Sequence, residues 1–223
     1  MVDFAKLKNE KNKINIVDPV EIFRRSPKPV GMNDLYSSQK DILSKWFNSK
    51  DKSEHIIKLH TGGGKTLVGL LIAQSTINEG KGPVIYLTPN NQLVKQTIDK
   101  AKDIGVKTVE YHSGQVISED FLNGRAVLVA NYNSFFNGHS KFGTYASTIV
   151  PNVGLMIFDD AHAAIPTIRE CFSININSKD ETFSSQYQEL CSLFRQDFKE
   201  VGKLGTFDEI VSGDENIVLE IPY

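Results

Sequence analysis

"LHTGGGKTLVGLL" occupies residues 59–71. Three adjacent glycines precede a lysine and a threonine, and an apolar run suited to a helix follows. Glycine accepts left-handed torsions and lets the backbone approach a ligand closely. A glycine turn that feeds a helix start gathers inward-pointing N–H groups at the positive end of the helix dipole, where an anionic phosphate would sit. In such a cradle Lys65 reaches the β- and γ-phosphates, and the Thr66 hydroxyl takes a Mg²⁺ coordination position. The full pattern G-x-x-x-x-G-K-[ST] is met at Gly64, Lys65 and Thr66, but Leu59 stands where the first glycine belongs. The plain alternative is a glycine-rich turn with an incidental lysine.

Working outward, "HIIKLH" (55–60) reads as a short strand before the glycines, and "KTLVGLLIAQSTINEG" as an apolar helix stopped by Gly80. "GPVIYLTP" is a buried strand, "NNQLVKQTIDKAKDIG" an amphipathic helix, 106–110 a weaker strand and "RAVLVANY" another apolar strand. "SFFNG" begins a turn or a helix. "VGLMIFDD" (153–160) is the most strand-like run, and helix-like "AHAAIPTIRECF" follows it. Upstream, Asp18–Pro19 starts a short helix near 19–25. In "NDLYSSQKDILSKWFNS" Leu35, Ile42, Leu43, Trp46 and Phe47 share one helical face. Strands that alternate with helices and are apolar throughout indicate an α/β fold, a mostly parallel sheet with helices on both faces. After residue 173 the alternation stops. "SSQYQELCSLFRQDFKEVGK" is a polar amphipathic helix, and the tail "GTFDEIVSGDENIVLEIPY" is expected to add a strand or a loop.

A phosphate loop that uses Mg²⁺ needs an acidic partner. The strand "LMIFDD" delivers Asp159 and Asp160 to its C-terminal end, the edge where parallel sheets bind ligands. Asp159 would hold Mg²⁺ through its water shell, and Asp160 would polarise the attacking water. A solvated strand end is the alternative for the two acids taken alone.

The net charge of −2 over 223 residues gives no global basic surface for a nucleic-acid partner. No apolar run approaches a membrane span and the first residues are no secretory signal, so no membrane partner is expected. Cys171 and Cys191 are neither a disulfide framework nor a metal-ligand set, and fit a reducing, cytoplasmic setting.

With these residues in hand, the chain resembles superfamily-two helicases of the DEAD/DEAH-box kind over about residues 33–165. "HTGGGKT" is similar to their motif I and "DDAH" (159–162) to motif II. "YLTPNNQLVKQ" is similar to motif Ia, "VLVANYNSFF" to motif Ib, and "LYSSQKDIL" to the segment whose glutamine reads adenine. The resemblance implies a RecA-like P-loop NTPase lobe with ATP and Mg²⁺ as cofactors. It implies that Gln39, Thr61, Gly62, Gly63, Gly64, Lys65 and Thr66 contact ATP, and that Thr66 and Asp159 serve the metal. Lys65 and Asp160 would be catalytic, and His162 would couple the site to a partner lobe. Thr88, Asn90, Gln92 and Asn131 would lie along the nucleic-acid backbone, although Asn90 and Asn131 are equally readable as turn residues.

Two departures from the family pattern matter. Asp160 stands where glutamate is usual, one methylene shorter, and a general base has little latitude in reach. No motif III and no second RecA-like lobe follow. The expected organisation is therefore an N-terminal extension and linker over 1–32, a RecA-like ATP-binding lobe over 33–172, and the start of a helical insertion or extension over 173–223. The expected function is the ATP-binding lobe of a helicase or translocase acting on DNA or RNA, with the second lobe supplied by a longer protein or another chain. A non-catalytic nucleotide- or nucleic-acid-binding module is the alternative. An unrelated P-loop phosphotransferase is disfavoured, because it leaves "TPNNQLVKQ" without a role.

Overall fold

A computed structural model describes residues 15–31, 34–138, 140–142, 151–213 and 216–222. The first part of the expected extension, residues 1–14, lies outside them. The described residues fall into two units that meet in sequence at Phe172 and Ser173.

The first unit is built on four parallel strands: β1 (Val84–Thr88), β2 (Thr108–Glu110), β3 (Val127–Asn131) and β4 (Leu155–Phe158), in the order β2-β3-β1-β4. Successive side chains of a strand point to opposite faces, and the core divides accordingly. Val84, Tyr86, Val127 and Val129 face one apolar cluster, while Ile85, Leu87, Leu128 and Ala130 face the other. Both faces are thus covered, as the continuous apolar runs predict.

The first cluster packs α1 (Pro19–Arg25), α2 (Ser37–Asn48), α3 (Lys65–Glu79) and α4 (Asn91–Asp103) against the sheet. Helix α3 is buried continuously from Leu67 to Ala73, which accounts for its apolar sequence on all sides. Trp46 and Leu43 of α2 are core residues, and Phe47 packs against them. On the second face lie two one-turn helices, α5 (Glu119–Leu122) and α6 (Tyr132–Phe135), and α7 (Ala161–Cys171). The "SFFNG" region therefore begins as a helix.

Three expectations change. The segment 15–31, read as extension and linker, belongs to the core: Ile22 and Phe23 of α1 are buried in the first cluster. The Asn78 side chain donates to the Ile16 carbonyl at 2.7 Å, and the Ser75 hydroxyl donates to the Val17 carbonyl. The strand expected at 55–60 is absent. Ile56 is fully exposed and Ile57 partly so, and no described strand offers the segment a ladder. A strand without a paired neighbour leaves its backbone groups to water, so apolar composition alone does not make one. In the tail, Leu204–Ser212 is a helix instead of a strand or loop.

The second unit contains α8 (Ser184–Glu200) and α9 (Leu204–Ser212). Phe198 stacks on Phe207 with ring centroids 4.5 Å apart, and Arg195 makes two hydrogen bonds to Asp208 at 2.5 and 3.0 Å. Among the described residues, no helix is long and apolar enough to cross a membrane.

One glycine decides where β4 starts. The Gly154 N–H donates to the Pro83 carbonyl at 2.9 Å, and a Cβ on Gly154 would lie 2.1 Å from the Lys81 carbonyl oxygen. Both partners are backbone, so nothing flexible can yield. Gly154→Ala is expected to destabilise the chain by about 1–3 kcal/mol, the usual range for an overpacked site. Urea denaturation measures it, and an unchanged midpoint would contradict this packing.

Candidate functional site

The site forms at the C-terminal edge of the sheet. Thr88 pairs in register with Asn131, and Leu87 with Phe158, so the ends of β1, β3 and β4 lie level. The Asp159 N–H continues the ladder by donating to the Leu87 carbonyl at 2.8 Å. At this edge α3 begins without a side-chain cap, its N-cap Gly64 in the left-handed region at φ 76°. The first N–H that bonds within the helix is that of Val68, to the Gly64 carbonyl at 3.2 Å. The N–H groups of Lys65, Thr66 and Leu67 are the usual unpaired donors of a helix start and remain for an anion.

The glycine turn is held from behind. Gly63 is buried, and its N–H donates to the His60 carbonyl at 3.0 Å. Gln39 is 3% exposed and acts as a strut: its amide donates to the Gly63 carbonyl at 2.9 Å and accepts from the Tyr36 N–H at 3.0 Å. The left-handed torsion of Gly64 at φ 76° strains any other residue there, and a Cβ would also lie 2.3 Å from the Gln39 Nε2 and push the strut aside. Gly62, at φ 80°, supplies the second left-handed torsion. Each end of the Gln39 amide thus has one protein partner, and its second N–H and second oxygen lone pair remain for a base. Beside this turn lies a cavity of about 630 Å³, lined among others by Asp34, Tyr36, Gln39, Gly62, Thr66 and Lys100. Small-molecule sites commonly have volumes of roughly 300–1,000 Å³.

Opposite the turn stand the two aspartates. Asp159 is partly buried, and burial raises its pKa. The Lys65 charge opposes that shift and the Asp160 charge adds to it. Asp160 is exposed and is the one non-glycine residue with positive φ among the described residues, at φ 57°. Aspartate tolerates this region better than most residues. The peptide group that joins the pair is anchored by a residue the sequence reading missed: the Tyr132 hydroxyl donates to the Asp159 carbonyl at 2.5 Å. Burial, reinforced by the two carboxylates, raises the Tyr132 pKa and keeps it a neutral donor.

The expected nucleic-acid residues sit on the same edge but differ in reach. Thr88 is fully buried, and its hydroxyl donates to the Asn90 carbonyl at 3.1 Å. It shapes the turn and offers no surface to a strand, which corrects the expectation for that residue. Asn90 caps α4 by accepting from the Leu93 N–H at 3.0 Å, and Asn131 caps α6 by accepting from the Ser134 N–H at 2.6 Å. The Asn131 amide also donates to Asn91 at 2.5 Å. Their capping contacts are the ones that asparagine makes for its own reasons. Gln92, Thr61, Lys65 and His162 are exposed.

The donor set suits a hard cation that is completed by phosphate oxygens. Thr66 supplies a hydroxyl and Asp159 a carboxylate. No cluster of three metal-binding side chains exists among the described residues. Mg²⁺ held by one carboxylate and substrate phosphates needs none.

A family model described as Type III restriction enzyme, res subunit, matches residues 33–215. The chain belongs to that family. It is a family of superfamily-two helicase-like first RecA-like lobes, and the parallel sheet with helices on both faces is the RecA-like fold. The Res-type lobe is thus an ATP-binding, helicase-like domain. No curated protein and no solved structure matches the chain.

Burial of Asp159 has a measurable consequence. A carboxyl whose pKa is raised by folding binds its proton more tightly in the folded state. The associated stability is fully present below the ordinary carboxyl value of about 4 and is lost as pH rises through the folded value. Asp159→Asn removes that loss. The variant is expected to be more stable than the parent at pH 7, with the advantage vanishing near pH 3. Thermal melts across that range test it, and a pH-independent difference would contradict it.

Proposed function

We propose that this chain is the ATP-binding lobe of a nucleic-acid-dependent ATPase, a helicase or translocase that uses ATP hydrolysis to unwind or move along DNA or RNA. One observation carries the proposal: α3 starts without a side-chain cap on a glycine turn, and the charge of its first residue, Lys65, acts on Asp159 at the end of β4. Gly62, Gly63, Gly64 and the first N–H groups of α3 would cradle the phosphates in a Walker A arrangement, with Thr61 at its start and Lys65 on the β- and γ-phosphates. Thr66 and Asp159 would hold Mg²⁺, which when bound neutralises charge on the phosphates. Asp160 would orient the attacking water, and its shorter reach favours slow turnover. Gln39 would contact the adenine with the N–H and lone pair that the loop leaves unused, while it braces the loop.

Gln92, with the exposed faces of Asn90 and Asn131, would contact a nucleic-acid backbone without reading sequence. His162, exposed at the start of α7, would face a second RecA-like lobe, in the same protein or on another chain, that supplies the arginines. Such arginines raise phosphoryl-transfer rates about 10³–10⁵-fold. The lobe alone would then bind Mg·ATP and hydrolyse it poorly. A cytoplasmic setting agrees with the two free thiols.

Asp160 supports a second reading. Its left-handed backbone and shorter side chain fit a nucleotide-binding module that never hydrolyses ATP. The experiment is ATP binding and turnover by the 223-residue chain with Mg²⁺, with and without single-stranded DNA or RNA. Lys65→Ala is expected to weaken ATP binding at least about tenfold, equivalent to roughly 1.4 kcal/mol. Asp160→Glu is expected to raise turnover if the site is catalytic and to leave it at background in the binding-module reading. ATP binding indifferent to Lys65→Ala would overturn both.

A further inference from the structure

Tyr132 is fully buried at the start of α6, and its hydroxyl donates to the Asp159 carbonyl at 2.5 Å. Its ring stacks on Phe158, the last residue of β4, with centroids 6.2 Å apart. One side chain thus grips the two residues that lead into Asp160. The rest of the turn is held as well. The Asp159 N–H donates to the Leu87 carbonyl at 2.8 Å, and the Asp160 carbonyl accepts from the N–H groups of Ala163 and Ala164 at 2.9 and 3.3 Å. Asp160 is therefore clamped on both sides at φ 57°, a torsion that persists only where its surroundings over-determine it. The Tyr132 hydroxyl is the hold on the carbonyl of the peptide between the two aspartates. Tyr132 is in turn set by its chain neighbour. Asn131 caps α6 by accepting from the Ser134 N–H at 2.6 Å, and its amide donates to Asn91 at 2.5 Å.

We infer that Tyr132 is a positioning residue for Asp160: its hydroxyl aims the water-orienting carboxylate and ties that aim to the loop that carries Asn131. The inference rests on the ATP-site reading given above. Without the hydroxyl, the Asp159–Asp160 peptide is free to rotate, and Asp160 relaxes out of the left-handed region that non-glycine residues avoid. A misplacement of about 1 Å costs a reaction about 10²-fold. The phosphate cradle at Gly62 to Thr66 is built from other residues and keeps its hold on the nucleotide. Tyr132→Phe keeps the ring and its stacking and deletes the tie. The Asn131 side chain lies on the edge proposed for nucleic acid. A strand that takes the place of Asn91 there would shift the start of α6 and, through Tyr132, Asp160.

The test is single-turnover hydrolysis with the full chain in excess over Mg·ATP, with ATP affinity measured by equilibrium dialysis. In Tyr132→Phe the hydrolysis rate should fall about tenfold or more, with ATP affinity within about twofold of the parent, the margin adopted for no change. Asn131→Ala should also slow the parent, and should add no more than that margin in the Tyr132→Phe background. A Tyr132→Phe rate within the margin overturns the inference while leaving the ATP site standing. A matching loss of ATP affinity also overturns it, because it marks a structural role. An Asn131→Ala chain at the parent's rate, or two effects that multiply, overturns the tie to the Asn131 loop. A parent that binds ATP without hydrolysing it above the protein-free rate overturns the inference and favours the binding-module reading. A parent chain that binds no ATP removes the ATP-site reading, and this inference with it.

Discussion

The start of helix α3 is the constraint on which the site depends. From Leu67 to Ala73 the helix is buried continuously, between α1, α2 and α4 on one side and the sheet on the other. A helix locked in this way cannot tilt to find a cap for its first turn. Its open N–H groups are therefore presented at the C-terminal sheet edge, with two left-handed glycines and the Gln39 strut fixing the approach. The arrangement leaves helix-start donors unpaired and offers them to an anion. The same packing brings Lys65 close enough for its charge to act on Asp159.

Both aspartates are held at a cost to stability. Asp159 sits where burial disfavours its charge, partly relieved by Lys65. Asp160 occupies a backbone region that most residues avoid, and the Tyr132 hydrogen bond to the Asp159 carbonyl holds the peptide that precedes it. Strain and uncompensated burial cluster at functional sites because the surrounding fold over-determines them. Here the over-determining parts are the β1–β4 ladder and the Tyr132 hydroxyl that reaches the turn.

Much of this was legible in the sequence, for identifiable reasons. Continuous apolar runs located β1, β3 and β4, and Gly80 marked the end of α3. The glycine–lysine–threonine run and the paired aspartates are local patterns, and the sheet brings their backbones to one edge. Pairing was less legible. "HIIKLH" has strand composition, yet no described strand offers it a ladder, and Ile56 stays in water. The tail helix at Leu204–Ser212 forms around Phe207, which stacks on Phe198, a contact between segments that periodicity does not foresee. Tyr132 was invisible as a site residue because it looks like one more core aromatic. Its hydroxyl partner, the Asp159 carbonyl, lies 27 residues away, and no spacing in the sequence encodes that contact. Thr88 erred the other way: a polar residue at a strand end looks accessible, but the turn buries it.

The most direct measurement is the amide spectrum of the isotope-labelled chain, recorded by nuclear magnetic resonance while Mg·ATP is added. The glycine cradle predicts that the largest shifts fall on the N–H groups of Gly62 to Leu67, with a second set at Asp159 to Ala161 and little change in α8 and α9. Saturable binding that leaves Gly62 to Leu67 unmoved would contradict the claim that the uncapped start of α3 is the phosphate site.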